Sequence, residues 1–209
     1  NTNINISQVE VWLSNRSNSY EDARDVMALM DLGEYQPYNN LISPGSSRLP
    51  STGIPNENNA TVSNNLLSLL GDNGRQSNGT FVQSFFASSG ANDNYAKMTY
   101  ARKLIENRDF TIDRKLGYIS LNLPLNADQV LSVAYRYTAN GREYQVGEFS
   151  TDIPVTPSNP KMLYTKLLKN ETLKPRLPIW DLMMKNIYAL GAYNVSNSNF
   201  ILQIYRTDD

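Results

Sequence analysis

The chain has 209 residues, a formal net charge of −1, 10% aromatic residues and neither histidine nor cysteine. This length fits one large domain, or one domain with a long insertion. The missing cysteine excludes disulfides and thiolate catalysis, and the missing histidine excludes a Ser-His-Asp triad or an imidazole base. Without a basic run or an 18-residue apolar stretch, we expect neither nucleic-acid binding nor a membrane-spanning helix.

The N-terminal segment predicts a strand followed by a helix. Residues 4–13 alternate apolar and polar side chains, and a change of parity predicts a β-bulge near Ser7–Gln8. Ser19 and Asp22 then resemble a helix-capping box, and apolar residues follow at helical spacing as far as Gly33. We therefore expect the first of about four helices here.

A long irregular excursion is predicted over residues 39–94, inside a single domain that spans 1–209. This segment is rich in Asn, Ser, Gly and Pro and lacks a sustained hydrophobic period. Only Leu66–Leu70 predicts a short second helix within it. Excursions of this length in a compact domain are usually functional or mobile.

Two further helices are predicted in the second half of the chain. Ala96–Glu106 carries apolar residues at helical spacing and is the third. The fourth begins at Pro178 and ends at Gly191. Its apolar side consists of Trp180, Met183, Met184, Ile187 and Tyr188, and the first four are expected to be buried against the sheet face of residues 131–146.

The segment 131–146 predicts a β-hairpin. Asn140-Gly141 is the preferred pair for a two-residue type I′ turn. Closing the chain there pairs Tyr137 with Tyr144 and Tyr135 with Val146 on one apolar, aromatic face. We interpret this face as core, with tyrosines in a binding face as the alternative.

The remaining strands complete the expected fold. Residues 110–112, 119–123 and 199–206 alternate or are apolar on both faces. The element order predicts an α+β fold with a mainly antiparallel sheet or sandwich-like core and about four helices. Pairing of Val9–Leu13 with Phe200–Tyr205 is expected to bring the two ends of the chain together.

No catalytic, cofactor-binding or metal-binding residue is assigned, and the chain is predicted not to be an enzyme. Asp72–Arg75 resembles the start of a calcium loop, but the acidic ligands that should follow are missing. Glu21, Asp22 and Asp25 stand where helix N-terminal charges normally stand, and Asp208–Asp209 form a solvated tail. A hydrolase that uses carboxylates alone remains as an alternative, although no pair of them favours it.

Four segments resemble the SprA/Sov family, very large proteins of Bacteroidetes associated with gliding motility and type IX secretion. They are VEVWLSNR at 9–16, YEDARDVMALMDLGE at 20–34, LGYISLNLPLNADQVLSVAYRYTANGREYQVGEFSTD at 116–152 and LPIWDLMMKNIYALGAY at 177–193. Within them, WDLMMKNIY and YQVGEFS are the specific motifs. Residues 39–94 match poorly.

The resemblance implies that the full protein is an outer-membrane translocon, a very large β-barrel with soluble portions, whose cargo is folded proteins with a C-terminal signal. This chain resembles a soluble portion, a non-catalytic domain that shapes or gates the channel or docks partners. The implied partners are other parts of the translocon, accessory secretion subunits and cargo. The implied location is outer-membrane-associated, with the cell-surface side favoured over the periplasmic side. The alternative is a cell-surface adhesin or glycan-binding β-domain, which the Tyr- and Asn-rich composition suits.

Overall fold

A computed structural model gives the fold, which is mainly β. The residues that it describes are 4–15, 23–30, 32, 70–76, 79–87, 93, 95–139, 141–154, 161–175, 177–184, 198, 201 and 203. The strands are β1 (Ile4–Leu13), β2 (Arg24–Leu29), β3 (Tyr95–Lys103), β4 (Phe110–Asp113), β5 (Tyr118–Leu121), β6 (Leu131–Ala139), β7 (Arg142–Val146) and β8 (Leu163–Lys169). Among the described residues, the helical elements are the α-helix α1 (Thr80–Ala87) and two 3₁₀ helices, Asp72–Arg75 and Pro178–Leu182.

Five of the strands close into a barrel. The order is β1-β3-β2-β8-β6, and β6 pairs back onto β1. Neighbouring strands are antiparallel except β2 and β8, which are parallel. β7 extends the sheet beside the second half of β6, while β4 and β5 form a separate hairpin. Closure leaves the barrel strands without an open edge between them.

The predicted bulge and the predicted hairpin are both confirmed. The β1–β6 register shifts between Ile6 and Gln8. In the hairpin, Tyr137 lies opposite Tyr144, with ring centroids 5.2 Å apart, and Tyr135 lies opposite Val146. Asn140 is outside the described residues, but Gly141 has the positive φ, 75°, that the turn needs.

The core has three parts, which lie on different sides of the barrel wall. Inside the barrel are Trp12, Val26, Ala28, Met98, Leu163 and Leu167. Between β2, β8 and α1 are Met27, Leu29, Val82, Phe86 and Tyr164. Between β1, β6 and the β4–β5 hairpin are Val11, Leu13, Phe110, Leu131 and Val133. The wall is therefore buried on both faces over much of its area.

The prediction of an α+β fold with about four helices is wrong, because two of the predicted helices are strands. β2 is part of the predicted first helix, and β3 overlaps the predicted third helix, Ala96–Glu106, and begins one residue before it. β2 is covered on both sides, so it has apolar residues at consecutive positions, and such a run also satisfies helical spacing. In β3 the buried residues Ala96 and Met98 are two apart, but the next, Ala101, is three further on, which is a helical spacing. Of the predicted second helix, only Leu70 is described. Leu70 is helical, and a further helix, α1, begins at Thr80, within the predicted excursion.

The predicted burial of the fourth helix is also wrong in the part that the structure describes. Only a short 3₁₀ helix, Pro178–Leu182, is present there. Trp180 is half-buried and Met184 is 52% exposed, whereas Leu177 and Ile179 enter the core inside the barrel. The rest of that predicted helix lies outside the described residues.

The predicted terminal pairing lies mostly outside the described residues. Of the segment 199–206, the structure describes only Ile201 and Gln203, and neither belongs to a strand. Over Val9–Leu13, β1 pairs with β6, and at its last two residues it also pairs with β3.

Candidate functional site

Buried charged side chains converge on the loop that follows β7, residues 147–153. We call this segment the 147–153 loop, and Glu10, Arg24, Arg75, Lys103 and Glu148 the charge network. Glu10, on β1, is 5% exposed and accepts hydrogen bonds from the backbone N–H of Ser150 (2.8 Å) and from its hydroxyl (2.8 Å). Lys103 Nζ lies 2.6 Å from Glu10 Oε1. The loop is thus tied to β1 and β3.

The side chain of Arg24, at the start of β2, binds the backbone of the same loop. Its guanidinium donates to the carbonyl oxygens of Ser150 (3.2 Å), Ile153 (2.5 Å) and Lys161 (3.2 Å). Burial lowers the pKa of Arg24, while the charges of Glu10 and Glu148 act in the opposite direction. Carbonyl groups in a loop have no donors from a sheet ladder, and the Arg24 guanidinium supplies donors to them.

Glu148 and Arg75 form the second half of the charge network. The two guanidinium nitrogens lie 2.6 and 2.5 Å from the two carboxylate oxygens. Glu148 also accepts the backbone N–H of Tyr164 (3.0 Å), and the ring of Tyr164 lies 4.6 Å from the Arg75 guanidinium. Burial alone would lower the pKa of Arg75, but its hydrogen bonds and charge interaction with Glu148 outweigh burial, and the pKa is raised.

Gly147 allows the 147–153 loop to leave β7 against the barrel wall. Its φ is 75°, and a Cβ at this position would lie 3.1 Å from the carbonyl oxygen of Tyr164 and 3.2 Å from Cβ of Ala134. A side chain there would meet both a disfavoured backbone conformation and a backbone atom. Glycine is therefore required at the entry to the loop.

The charge network holds backbone in place and leaves neither carboxylate open. Glu10 accepts three hydrogen bonds and Glu148 accepts three. A general base must reach a substrate proton, and these oxygens are already occupied by protein donors. Among the described residues, no group of three acidic side chains is arranged to hold a metal ion. The arrangement suits a rigid scaffold.

Of the segment Asp72–Arg75 that the sequence singled out, Arg75 belongs to the charge network, whereas the candidate carboxylates are not members of it. Asp72 has a 75% exposed side chain and pairs with Lys161 and Arg75, each at 3.2 Å. Its hydrogen bond from Lys161 is the main reason that its pKa is lowered. Asp25 accepts the backbone N–H of Tyr100 (3.0 Å), which has a positive φ of 54°. Glu21, Asp22, Asp208 and Asp209 lie outside the described residues.

The sequence did contain a signal for the charge network. Glu10 stands between Val9 and Val11 in an apolar run, and Glu148 stands between Gly147 and Phe149. Charged residues inside buried segments are nearly always paired, so each required a partner. Their partners are not predictable from one sequence, because they lie 93 and 73 residues away.

A polar depression of about 290 Å³ is a separate feature of the surface. It lies between the start of β3 and the loop after β8, where Lys174 pairs with Asp93 at 2.6 Å. The ring of Tyr95 stacks on Phe86 with centroids 5.3 Å apart, and burial raises the pKa of its hydroxyl. The lining residues are Asp93, Tyr95, Ala96, Lys97, Asn170, Glu171, Thr172 and Lys174.

Comparison with known proteins adds no relative. No protein-family model matches the chain, and no curated protein sequence matches it. In the described residues, no helix has the length and apolar character needed to cross a membrane.

Proposed function

We propose that the chain is a non-catalytic domain of a very large outer-membrane protein-secretion channel, where it shapes or gates the channel or docks partners. The resemblance of four segments to the SprA/Sov family is the basis of this proposal. One structural observation supports it most. Three of those segments supply Glu10, Arg24, Glu148 and Ser150, and these residues meet at the 147–153 loop, although the third segment is far along the chain from the first two.

This convergence matters because it gives the shared residues a common physical role. Each segment supplies a charged group that is costly to bury alone and that is stabilised by bonds and opposite charges around the 147–153 loop. The ion-pair partners of Glu10 and Glu148, which are Lys103 and Arg75, lie outside the four segments. A family pattern that includes all of them describes one folded unit. The 147–153 loop, with the motif YQVGEFS, is the part that the unit holds in place.

The saturated carboxylates favour a scaffold over an enzyme. A rigid closed barrel with a braced loop is suited to holding a neighbouring part of a channel in a fixed position. The proposed partners are other parts of the translocon, accessory secretion subunits and cargo. We propose an outer-membrane-associated location on the cell-surface side.

The test is to replace the domain by a flexible linker in the full-length protein and to measure export of cargo to the medium. The amount of protein in the outer-membrane fraction is measured in parallel. We expect export to fall strongly while that amount is maintained. A second variant, Arg24→Met in the intact protein, removes the clamp on the loop and should reduce export less. Normal export after removal of the domain would contradict the proposal.

The polar depression supports a second candidate, a glycan-binding surface domain. Ammonium, carboxylate, amide and hydroxyl groups line it, and such groups suit a polyhydroxylated ligand. Binding to a panel of soluble polysaccharides would be measured by calorimetry, with Lys97→Ala and Asn170→Ala as variants. A heat of binding that is smaller in both variants would favour this function. The absence of a heat of binding with every polysaccharide would exclude it.

A further inference from the structure

The polar depression is lined by two cations and two anions, so the charges of its side chains cancel. They are Asp93, Lys97, Glu171 and Lys174. Lys174 Nζ lies 2.6 Å from the Asp93 carboxylate, and these two charges neutralise each other by contact. Lys97 and Glu171 are exposed, and neither side chain forms an ion pair or hydrogen bond with a residue that the structure describes. One cation and one anion therefore remain open to a ligand.

The positions of these two open charges are set by packing and by backbone bonds. The stem of Lys97, in β3, passes over Gly79, and its Cδ is 3.2 Å from the Cβ position of that glycine. The backbone N–H of Glu171, in the loop after β8, donates to Oδ1 of Asn170 (2.8 Å). The carbonyl of Asn170 in turn accepts Nζ of Lys169 (3.1 Å). The two charges thus belong to separately anchored elements, and they do not pair with each other as Asp93 and Lys174 do.

Lys169 does not occupy the Glu171 carboxylate. Its ammonium is buried and donates to the carbonyl oxygens of Ala127 (2.7 Å), Gln129 (2.6 Å) and Asn170 (3.1 Å), which use its three hydrogens. Burial lowers the pKa of Lys169, and the charge of Glu171 partly offsets this effect. Because no ammonium hydrogen is left, this interaction is not a bond, and the oxygens of Glu171 can still accept hydrogen bonds from a ligand.

We propose that the depression binds a small zwitterion, a molecule with one ammonium and one carboxylate group, such as a free amino acid. The ligand carboxylate lies against Lys97 and the ligand ammonium against Glu171, as charge-assisted hydrogen bonds. A ligand with a single charge satisfies one of these residues and leaves the other without a partner. The volume of about 290 Å³ is at the lower end of ligand pockets, roughly 300–1,000 Å³, which suits a small molecule.

This inference concerns the same depression as the second candidate function, but it rests on the charges there and does not depend on glycan binding. The experiment is a nuclear magnetic resonance titration of the isotope-labelled 209-residue chain with β-alanine and 4-aminobutyrate, two zwitterions of different charge separation. We expect saturable shifts of the Lys97 and Glu171 amides with a Kd on the order of 1 mM, because ion pairs open to water are individually weak. Propionate and ethylammonium, each with one of the two charges of β-alanine, should bind about fivefold more weakly.

Exchange of the two charges provides the sharpest variants. Lys97→Glu alone should abolish zwitterion binding, because both open charges are then negative. Adding Glu171→Lys to the same chain should restore it, because the ligand can bind in the reverse orientation. Lys115→Met, at an exposed lysine of the β4–β5 turn, is the control and should leave binding unchanged. Thermal unfolding of each variant is measured first.

Two results would overturn the proposal. The first is that neither zwitterion binds more tightly than propionate and ethylammonium. The second is that the exchanged pair binds no better than Lys97→Glu alone. Glucose is titrated in parallel, since binding of glucose without a preference for zwitterions would overturn this inference and leave the glycan-binding candidate in place.

Discussion

Glu148 illustrates at the scale of single residues how charge is stabilised inside this protein. Its carboxylate has a bidentate partner in Arg75 and a backbone donor in Tyr164. Removing one partner of a buried pair leaves the other charge without compensation, which costs more than the pair itself contributes. The charge network is therefore a place where single substitutions have large effects on stability.

Arg75→Met tests this pair directly. We expect it to lower the free energy of unfolding by about 3 kcal/mol, because Glu148 keeps its charge and loses its guanidinium partner. The measurement is urea unfolding at neutral pH. Lys161→Met is the matched control, since it removes an ion pair to the exposed Asp72 and should change stability little. An equal decrease in the free energy of unfolding in the two variants would show that the buried pair contributes no more to stability than the exposed pair.

Gly141 and Gly147 have the same φ of 75°. Substitutions at the two positions therefore distinguish the cost of backbone strain from the cost of steric crowding. A Cβ at Gly141 meets nothing within 4 Å, whereas one at Gly147 meets the Tyr164 carbonyl oxygen at 3.1 Å. We expect Gly141→Ala to cost about 1 kcal/mol, from the left-handed conformation alone. Gly147→Ala should cost more than about 2 kcal/mol, measured by the same urea unfolding. A smaller cost at Gly147 would mean that the 147–153 loop is not held close to the wall.

Asp109 makes part of the stability depend on pH. Hydrogen bonds from Arg108 contribute most to lowering its pKa below the ordinary 3.8, and the backbone N–H of Ile105 and the charge of Arg102 also contribute. The folded state then binds fewer protons than the unfolded state, so stability is full above pH 3.8 and is lost as the pH falls through the folded-state pKa. Asp109→Asn should be less stable at neutral pH and lose less on acidification. Unfolding free energies from about pH 2 to pH 6 would check this. Parallel curves for the two proteins would contradict it.

At the scale of elements, sequence patterns identified hairpins better than buried strands. The 131–146 hairpin and the β1 bulge were predictable because a turn dipeptide and a change of parity are local signals. β2 was not, because it is covered on both faces and its apolar run has no period of two. β3 was not, because its buried residues change parity between Met98 and Ala101, next to the positive φ of Tyr100. Which face of a segment is buried depends on elements far away in the chain, and a single sequence does not contain that information.

The two tryptophans test the corrected packing. Trp12 is fully buried inside the barrel, whereas Trp180 is only half-buried. Trp12→Ala should therefore cost about 3–5 kcal/mol, and Trp180→Ala should cost less. Urea unfolding of both variants provides the comparison. A larger loss for Trp180→Ala would restore the sequence-based expectation that residue 180 anchors the core.

At the scale of the whole molecule, the closed barrel explains how distant segments form one unit. β1, β3 and β2 from the first half of the chain lie side by side, and β6 and β8 from the second half close the wall by pairing with β1 and with β2. The charge network then joins β1, β2 and β3 to the 147–153 loop. A chain arranged in this way should unfold in one cooperative step without added metal.

The parallel pairing of β2 with β8 tests the closed barrel most directly, because the barrel requires it and the sequence predicted a helix over the same residues. The measurement is the set of nuclear Overhauser effects of Met27 and Ala28 in solution. We predict contacts between their backbone protons and those of Tyr164 and Thr165, the register partners in β8. Contacts between residues three apart within Arg24–Leu29, without contacts to β8, would contradict the barrel.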